Sequence, residues 1–185
     1  MAAMETTQEA ELRRELSDEA QRIAIDAEYT GRQHLMAGQD WRAKATLLGL
    51  PVTLISAATG AGAGLSAVFG GATWLTAVLA FAGALIAAAH AYFRPEEQAS
   101  KHSVKGSKYI ALRNEARRFR NLDLNSDLSL DALKDRVHAL GRQHDDLRAA
   151  EPRELPKGLY AKVKADIEAG NYTYENDPLW QKDGG

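Results

Sequence analysis

Between Lys44 and Arg94 run 49 consecutive residues without an Asp, Glu, Lys or Arg. His90 and Tyr92 are the only ionisable side chains in that run, and all 48 charged residues of the 185-residue chain lie outside it. A soluble helix keeps one wet, charged face, so a soluble core does not segregate charge this completely. The run divides at Gly70-Gly71-Ala72-Thr73 into 45–69 and 74–93. At 1.5 Å per residue these segments reach roughly 37 and 30 Å, enough for a hydrocarbon core of about 30 Å. The expectation is an all-α chain built on a two-span membrane hairpin, its helices antiparallel because the link is so short. A hairpin buried in a soluble bundle would not need two adjacent uncharged segments of this length.

The flanks fit that expectation. Trp41, Tyr92 and Phe93 fall at one end of the two segments, and Phe69 and Trp74 at the other, as interfacial aromatics do. Arg32, Arg42 and Lys44 precede the first segment and Arg94, Lys101, Lys105, Lys108 and Arg113 follow the second, while the link has no basic residue. The positive-inside rule then predicts both termini in the cytoplasm. The first ten residues are acidic and lack an apolar core, so no secretory signal is expected. Pro51 removes a hydrogen bond one turn into the first segment and predicts a kink or a change of helix there.

Inside the run, Gly62-Ala-Gly64-Leu-Ser-Ala67 matches a relaxed dinucleotide fingerprint. The match fails on its partners. The first acid downstream is Glu96, 32 residues past Gly64, and no lysine follows the glycines before Lys101. In lipid the same residues have another use. Ser56, Gly60 and Gly64 recur every four residues, a small-residue stripe that lets a second helix approach closely. Thr46, Thr53, Ser56, Gly60, Ala63 and Ala67 also follow a repeat near 3.5 residues. Thr53, Ser56, Gly60, Gly64 and Ala67 are therefore candidates for helix packing or for lining a pore in an oligomer. Ser and Thr hydroxyls that bond their own backbone favour packing.

Outside the run the chain reads as helices: a first one in 1–44, beginning near Thr7, others in 94–170, and an irregular tail over 171–185. Leu12, Leu16, Ile23, Ala27 and His34 make a heptad-like stripe, weakened by Gly31 and Gly38. After Pro95, the residues His102, Lys105, Tyr109, Leu112, Ala116 and Phe119 form another. From Arg94 to Arg120 this segment holds eight basic and three acidic residues, a face for anionic lipid or for a phosphate-bearing ligand. Ser129 predicts an N-cap, and Leu130, Leu133, Val137, Leu140, His144 and Leu147 a narrow seam beyond it. Pro156 predicts the start of a last helix carrying Leu159, Val163 and Ile167, and Gly170 its stop.

Little of this points to catalysis. A net charge of −2 makes no case for nucleic acid, and the absence of cysteine excludes disulfides and thiolate metal sites. The five histidines include no pair at i, i+3 or i, i+4, and no hydrolase or metalloprotease motif occurs. No catalytic residue, metal or cofactor is expected, and the chain is not expected to be an enzyme. His90, about one turn from the end of the second segment, is a candidate for gating because ionisable residues at membrane depth are usually functional.

The layout over residues 10–170 resembles the SLATT family of two-transmembrane effectors from bacterial nucleotide-signalling conflict systems. The residues carrying the resemblance are Tyr29-Thr-Gly-Arg-Gln-His34 and, after the second segment, His102, Gly106, Tyr109, Leu112 and Arg117. His34, His102, Gly106, Tyr109 and Leu112 read as helix-packing positions outside the membrane. The resemblance implies an antiviral effector that oligomerises with itself in the bilayer and forms a pore or disrupts the membrane. Its trigger would be a partner sensor protein or a nucleotide second messenger, and no nucleotide pocket is legible in the residues. A non-conducting scaffold that recruits partners through its cytoplasmic helices is the alternative.

Overall fold

The computed structural model describes residues 2–69, 73–150, 155–156 and 158–171, the side chains of 2–6, 58–69, 73, 75 and 76 excepted. Among these residues the chain is all-helical: α1 (Ala2–Phe69), α2 (Thr73–Phe93), α3 (Pro95–Asn121), a 3-10 turn (Asp123–Asn125), α4 (Leu130–Ala149) and α5 (Leu159–Glu168). Residues 70–72 of the expected link and the tail from 172 onward lie outside the described residues. The chain forms two compact units, one of Met1–Ala37 with Ser103–Gly185 and the other of Gly38–His102.

α1 is a single helix through Gly31, Gly38 and Pro51, where a weakened third and a kink or a change of helix were expected. The boundary between the units falls at Gly38 rather than at Pro51. Proline costs the helix one backbone bond, and a 68-residue helix retains enough others on both sides to continue.

The core of the first unit lies where α1, α3 and α4 meet. α1 contributes Ala20, Ile23, Ala24 and Ala27; α3 contributes Tyr109, Leu112, Ala116 and Phe119; α4 contributes Leu133, Val137 and Leu140. Small residues on α1 face large ones on α3, so the two helices interdigitate at close range. Burying each large side chain contributes about 1.5–3 kcal/mol. Leu12 and Leu16, expected in the stripe, are only half-buried, and the α1 stripe is built mostly of alanine.

Polar contacts fix the register. Arg120 Nε donates to Ser17 Oγ at 3.3 Å, and Arg13 donates to the carbonyls of Leu124 and Leu128 at 2.9 and 3.4 Å. Further along, Gly106 meets Gly31, so α1 and α3 run antiparallel. A Cβ on Gly106 would lie 2.8 Å from Leu35 Cγ and 2.9 Å from the Gly31 carbonyl oxygen. Gly31 is thus a contact point of this crossing and not only a weak helix former.

The ends follow local chemistry. The Ser129 hydroxyl accepts from Ala132 N–H at 3.3 Å and caps α4. α5 begins at Leu159, later than Pro156, with Gly158 at φ 87° as its N-cap. Pro156 instead accepts the Leu159 N–H at 3.2 Å, closing a turn before the helix. Gly170 at φ 78° ends α5, and Asn171 N–H returns to the Asp166 carbonyl at 3.1 Å.

Gly106→Ala should lower the stability of this unit by about 1–3 kcal/mol, because backbone on one side cannot move away from the new methyl. Gly49→Ala, where a Cβ would meet nothing within 4 Å, should not. Denaturant unfolding followed by circular dichroism measures both.

Candidate functional site

In the Gly38–His102 unit, large apolar side chains stay on the surface. Leu47 is 72% exposed, Leu54, Trp74 and Phe81 are each 68%, and Leu50, Val78 and Leu85 exceed half. One stretch of helix among the described residues, Ala77–Asn125, is long and apolar enough to cross a membrane, and none of its apolar window is buried. α1 meets α2 through Ile55, whose Cγ2 lies 2.9 Å from where a Cβ on Gly83 would stand. Thr46, Thr53 and Ser56 are exposed on α1 away from that contact. The Thr46 and Thr53 hydroxyls donate to the carbonyls of Arg42 and Gly49, both at 3.1 Å. A stripe satisfied by its own backbone needs no water. The side chains of Gly60, Gly64 and Ala67 lie outside the described residues.

The joint between α2 and α3 is a single residue. Arg94 takes φ 44°, a left-handed conformation that costs a residue with a Cβ about 1–2 kcal/mol. Its N–H donates to the His90 carbonyl at 3.0 Å, and its own carbonyl accepts from Gln98 at 3.1 Å. Pro95 has no N–H to lose at the first position of α3. Across this joint His90 Nε2 stands 3.3 Å from Glu96 Oε1. Glu97 sits 2.7 Å from Lys101 and 3.4 Å from Arg94, and its carboxyl is held below the usual carboxylate range, chiefly by the hydrogen bond and charge of Lys101. At the other end of this region Lys44 Nζ lies 4.5 Å over the Trp41 ring.

The other unit holds the α1–α3 seam. His34 is fully buried and stacks on Tyr109, with centroids 6.0 Å apart and planes within 9°. Tyr109 and Leu112 are in the core, next to the Gly31–Gly106 crossing. His102 is also buried, but in the Gly38–His102 unit. Sequence reasoning missed Glu28. It is 1% exposed, with Arg32 Nε 2.8 Å from Oε1 and Arg113 Nε 2.8 Å from Oε2. Lys105 and Arg113 are likewise buried, so two of the eight basic residues expected on an open α3 face are inside. The one available signal was Glu28 four residues before Arg32. It is the same signal a solvated helix face gives.

A cleft of about 750 Å³ opens between α1, α4 and α5. Arg22 grips Glu19 through two nitrogens at 3.0 and 2.6 Å, which raises the arginine pKa further. His144, expected as a seam residue, is 2.7 Å from Asp26 through Nε2 and edge-on to Tyr109 at 6.4 Å. Tyr29 and Tyr160 stand 5.9 Å apart. Burial, followed by the neighbouring Tyr160, raises the Tyr29 phenol pKa. No group of three or more potential metal ligands occurs among the described residues. No family model, curated protein or solved structure matches the chain.

Glu28→Ala leaves Arg32 and Arg113 facing a void and should cost about 3–5 kcal/mol in chemical denaturation, as breaking buried ion pairs does. Replacing Glu28 and Arg113 together by Met and Leu should recover most of it. Glu97 should titrate by NMR below its unfolded value, and Lys101→Ala should raise it. With a lowered folded pKa, its stabilising effect is complete above the unfolded pKa and is lost as pH falls through the folded one.

Proposed function

We propose that this chain is an oligomeric membrane effector that forms a pore or disrupts the bilayer when triggered. The observation that carries the reading is the uncharged run itself. Its largest apolar side chains, from Leu47 to Leu85, face outward where water would penalise them and hydrocarbon would not. In this reading α1 from residue 45 and α2 span the membrane as a hairpin, and Ile55 against Gly83 is a contact inside it. The basic residues at 42, 44, 94 and 101 and the ring of Trp41 mark the cytoplasmic interface, where both termini lie.

Copies of the chain associate through the stripe of Thr53, Ser56, Gly60, Gly64 and Ala67. The SLATT resemblance supports a role in antiviral defence, with a sensor protein or a nucleotide signal as trigger. The His90–Glu96 pair across the Arg94 joint is where a change in the cytoplasmic helices would reach the spans. The scaffold reading is favoured by one observation, the self-satisfied Thr46 and Thr53 hydroxyls.

Dye-loaded liposomes containing the purified chain test the proposal. Triggered leakage supports an effector, and a silent bilayer with intact assembly supports a scaffold. Gly60→Leu and Gly64→Leu should insert normally yet lose cross-linked oligomers and leakage. His90→Phe should lower triggered leakage while leaving assembly unchanged.

A further inference from the structure

The cleft between α1, α4 and α5 serves neither the membrane reading nor the buried seam, and all its residues belong to one unit. Glu19, Asp26 and Asp145 on its walls are matched by Arg22, Arg148 and Lys164, three acids against three cations, so it favours neither sign of charge. What it offers is rings and room. Tyr160 leaves 56% of its surface exposed there, 5.9 Å from Tyr29 and tilted 30° to it, and Ile25 lines the same space. Gly141 lies in the middle of α4 and also lines the cleft, yet a Cβ there would meet nothing within 4 Å among the described residues. Glycine inside a helix is destabilising relative to alanine, and here no neighbour needs the space. Two tyrosines and a bare stretch of helix make a slot for a flat, uncharged ring.

The chain itself carries such rings. Residues 172–185 follow α5, which lends Tyr160 and Lys164 to the cleft, and they include Tyr172, Tyr174 and Trp180. Gly170 at φ 78° and the bond from Asn171 N–H to the Asp166 carbonyl end α5 and take the chain off the helix axis. Length then selects among the three rings. About 16 Å separates Tyr160 from Asn171 along the helix, at 1.5 Å per residue. From Asn171, the extended chain covers about 10 Å to Tyr174, which stops short of Tyr160, and about 30 Å to Trp180, which reaches it with slack.

We propose that the indole of Trp180 seats in this slot, against Tyr160 and Tyr29 and over the bare backbone at Gly141. Indole brings the largest apolar face of any side chain, and its one N–H suits a cleft lined by three carboxylates. The segment 172–180 is then an intramolecular latch that ties the end of α5 to α1 and α4, and a helix of ten residues needs such support. The seat concerns the unit that lacks α2, so it does not rest on the membrane reading.

Fluorine NMR of the full chain in detergent, labelled with 5-fluorotryptophan, tests the latch; Trp180→Phe assigns the Trp180 resonance. The chain has no cysteine, so a nitroxide on Arg142→Cys, an exposed position beside Gly141, marks the cleft alone. With the nitroxide oxidised the Trp180 signal should be lost, and reduction with ascorbate should restore it. Gly141→Leu should keep that signal visible beside the oxidised nitroxide while the melting temperature holds or rises, which a structural glycine would not allow. Tyr160→Ala, a change at an exposed side chain, should do the same. A Trp180 signal that survives the oxidised nitroxide in the parent chain overturns the proposal, as does one still lost in both variants. Fluorinated chains mixed with unfluorinated chains bearing the nitroxide should keep the signal; its loss there would give the slot to a second copy and overturn the latch.

Discussion

The close crossing of α1 and α3 at Gly31 and Gly106 sets the terms for the rest of the first unit. With no side chain on either glycine, each carbonyl oxygen occupies space that a Cβ on the other would need, and the helices lock at one register. That register stacks His34 on Tyr109, brings Arg113 against Glu28 and aligns the alanines of α1 with the aromatics of α3. A helix pair held apart by larger residues would leave Glu28 between two arginines with water around it. At this distance Glu28 and Arg113 are buried together and must satisfy one another, while Arg32 keeps part of its side chain in water.

The second unit obeys the opposite rule. Its small residues bring α1 and α2 together at Gly83, but most large apolar residues among those described are turned outward. In water that arrangement would aggregate. In lipid the cost of exposed Leu and Phe disappears, and helix association rests on packing and on satisfied backbone. The two units therefore differ in solvent logic, and a single residue in a left-handed conformation, Arg94, links α2 to α3. The joint sits beside the one histidine of the uncharged run.

Much of the helical order was legible because helices leave a period in the sequence. Tyr109, Leu112, Ala116 and Phe119 on α3 and Leu133, Val137 and Leu140 on α4 fell on their stripes and are in the core. Ser129 and Gly170 start and stop helices through local hydrogen bonds, so their chemistry needs only near neighbours. Pro156 misled by three residues because a proline also serves a preceding turn. The continuity of α1 through Pro51 was not legible, since flanking turns outweigh one lost bond.

The sequence by itself determined that the chain is helical, that 49 of its residues carry no charge, and where most apolar stripes lie. Those properties depend on composition and on spacing along one strand of chain. Tertiary structure alone decided that Glu28 and Arg113 are buried, that His144 pairs with Asp26, and that Tyr29 and Tyr160 share a cleft. Each of those facts joins residues from separate helices, more than 80 positions apart for the Glu28–Arg113 pair. A period of 3.6 marks which face of a helix is apolar; it carries no information about what another helix brings to that face.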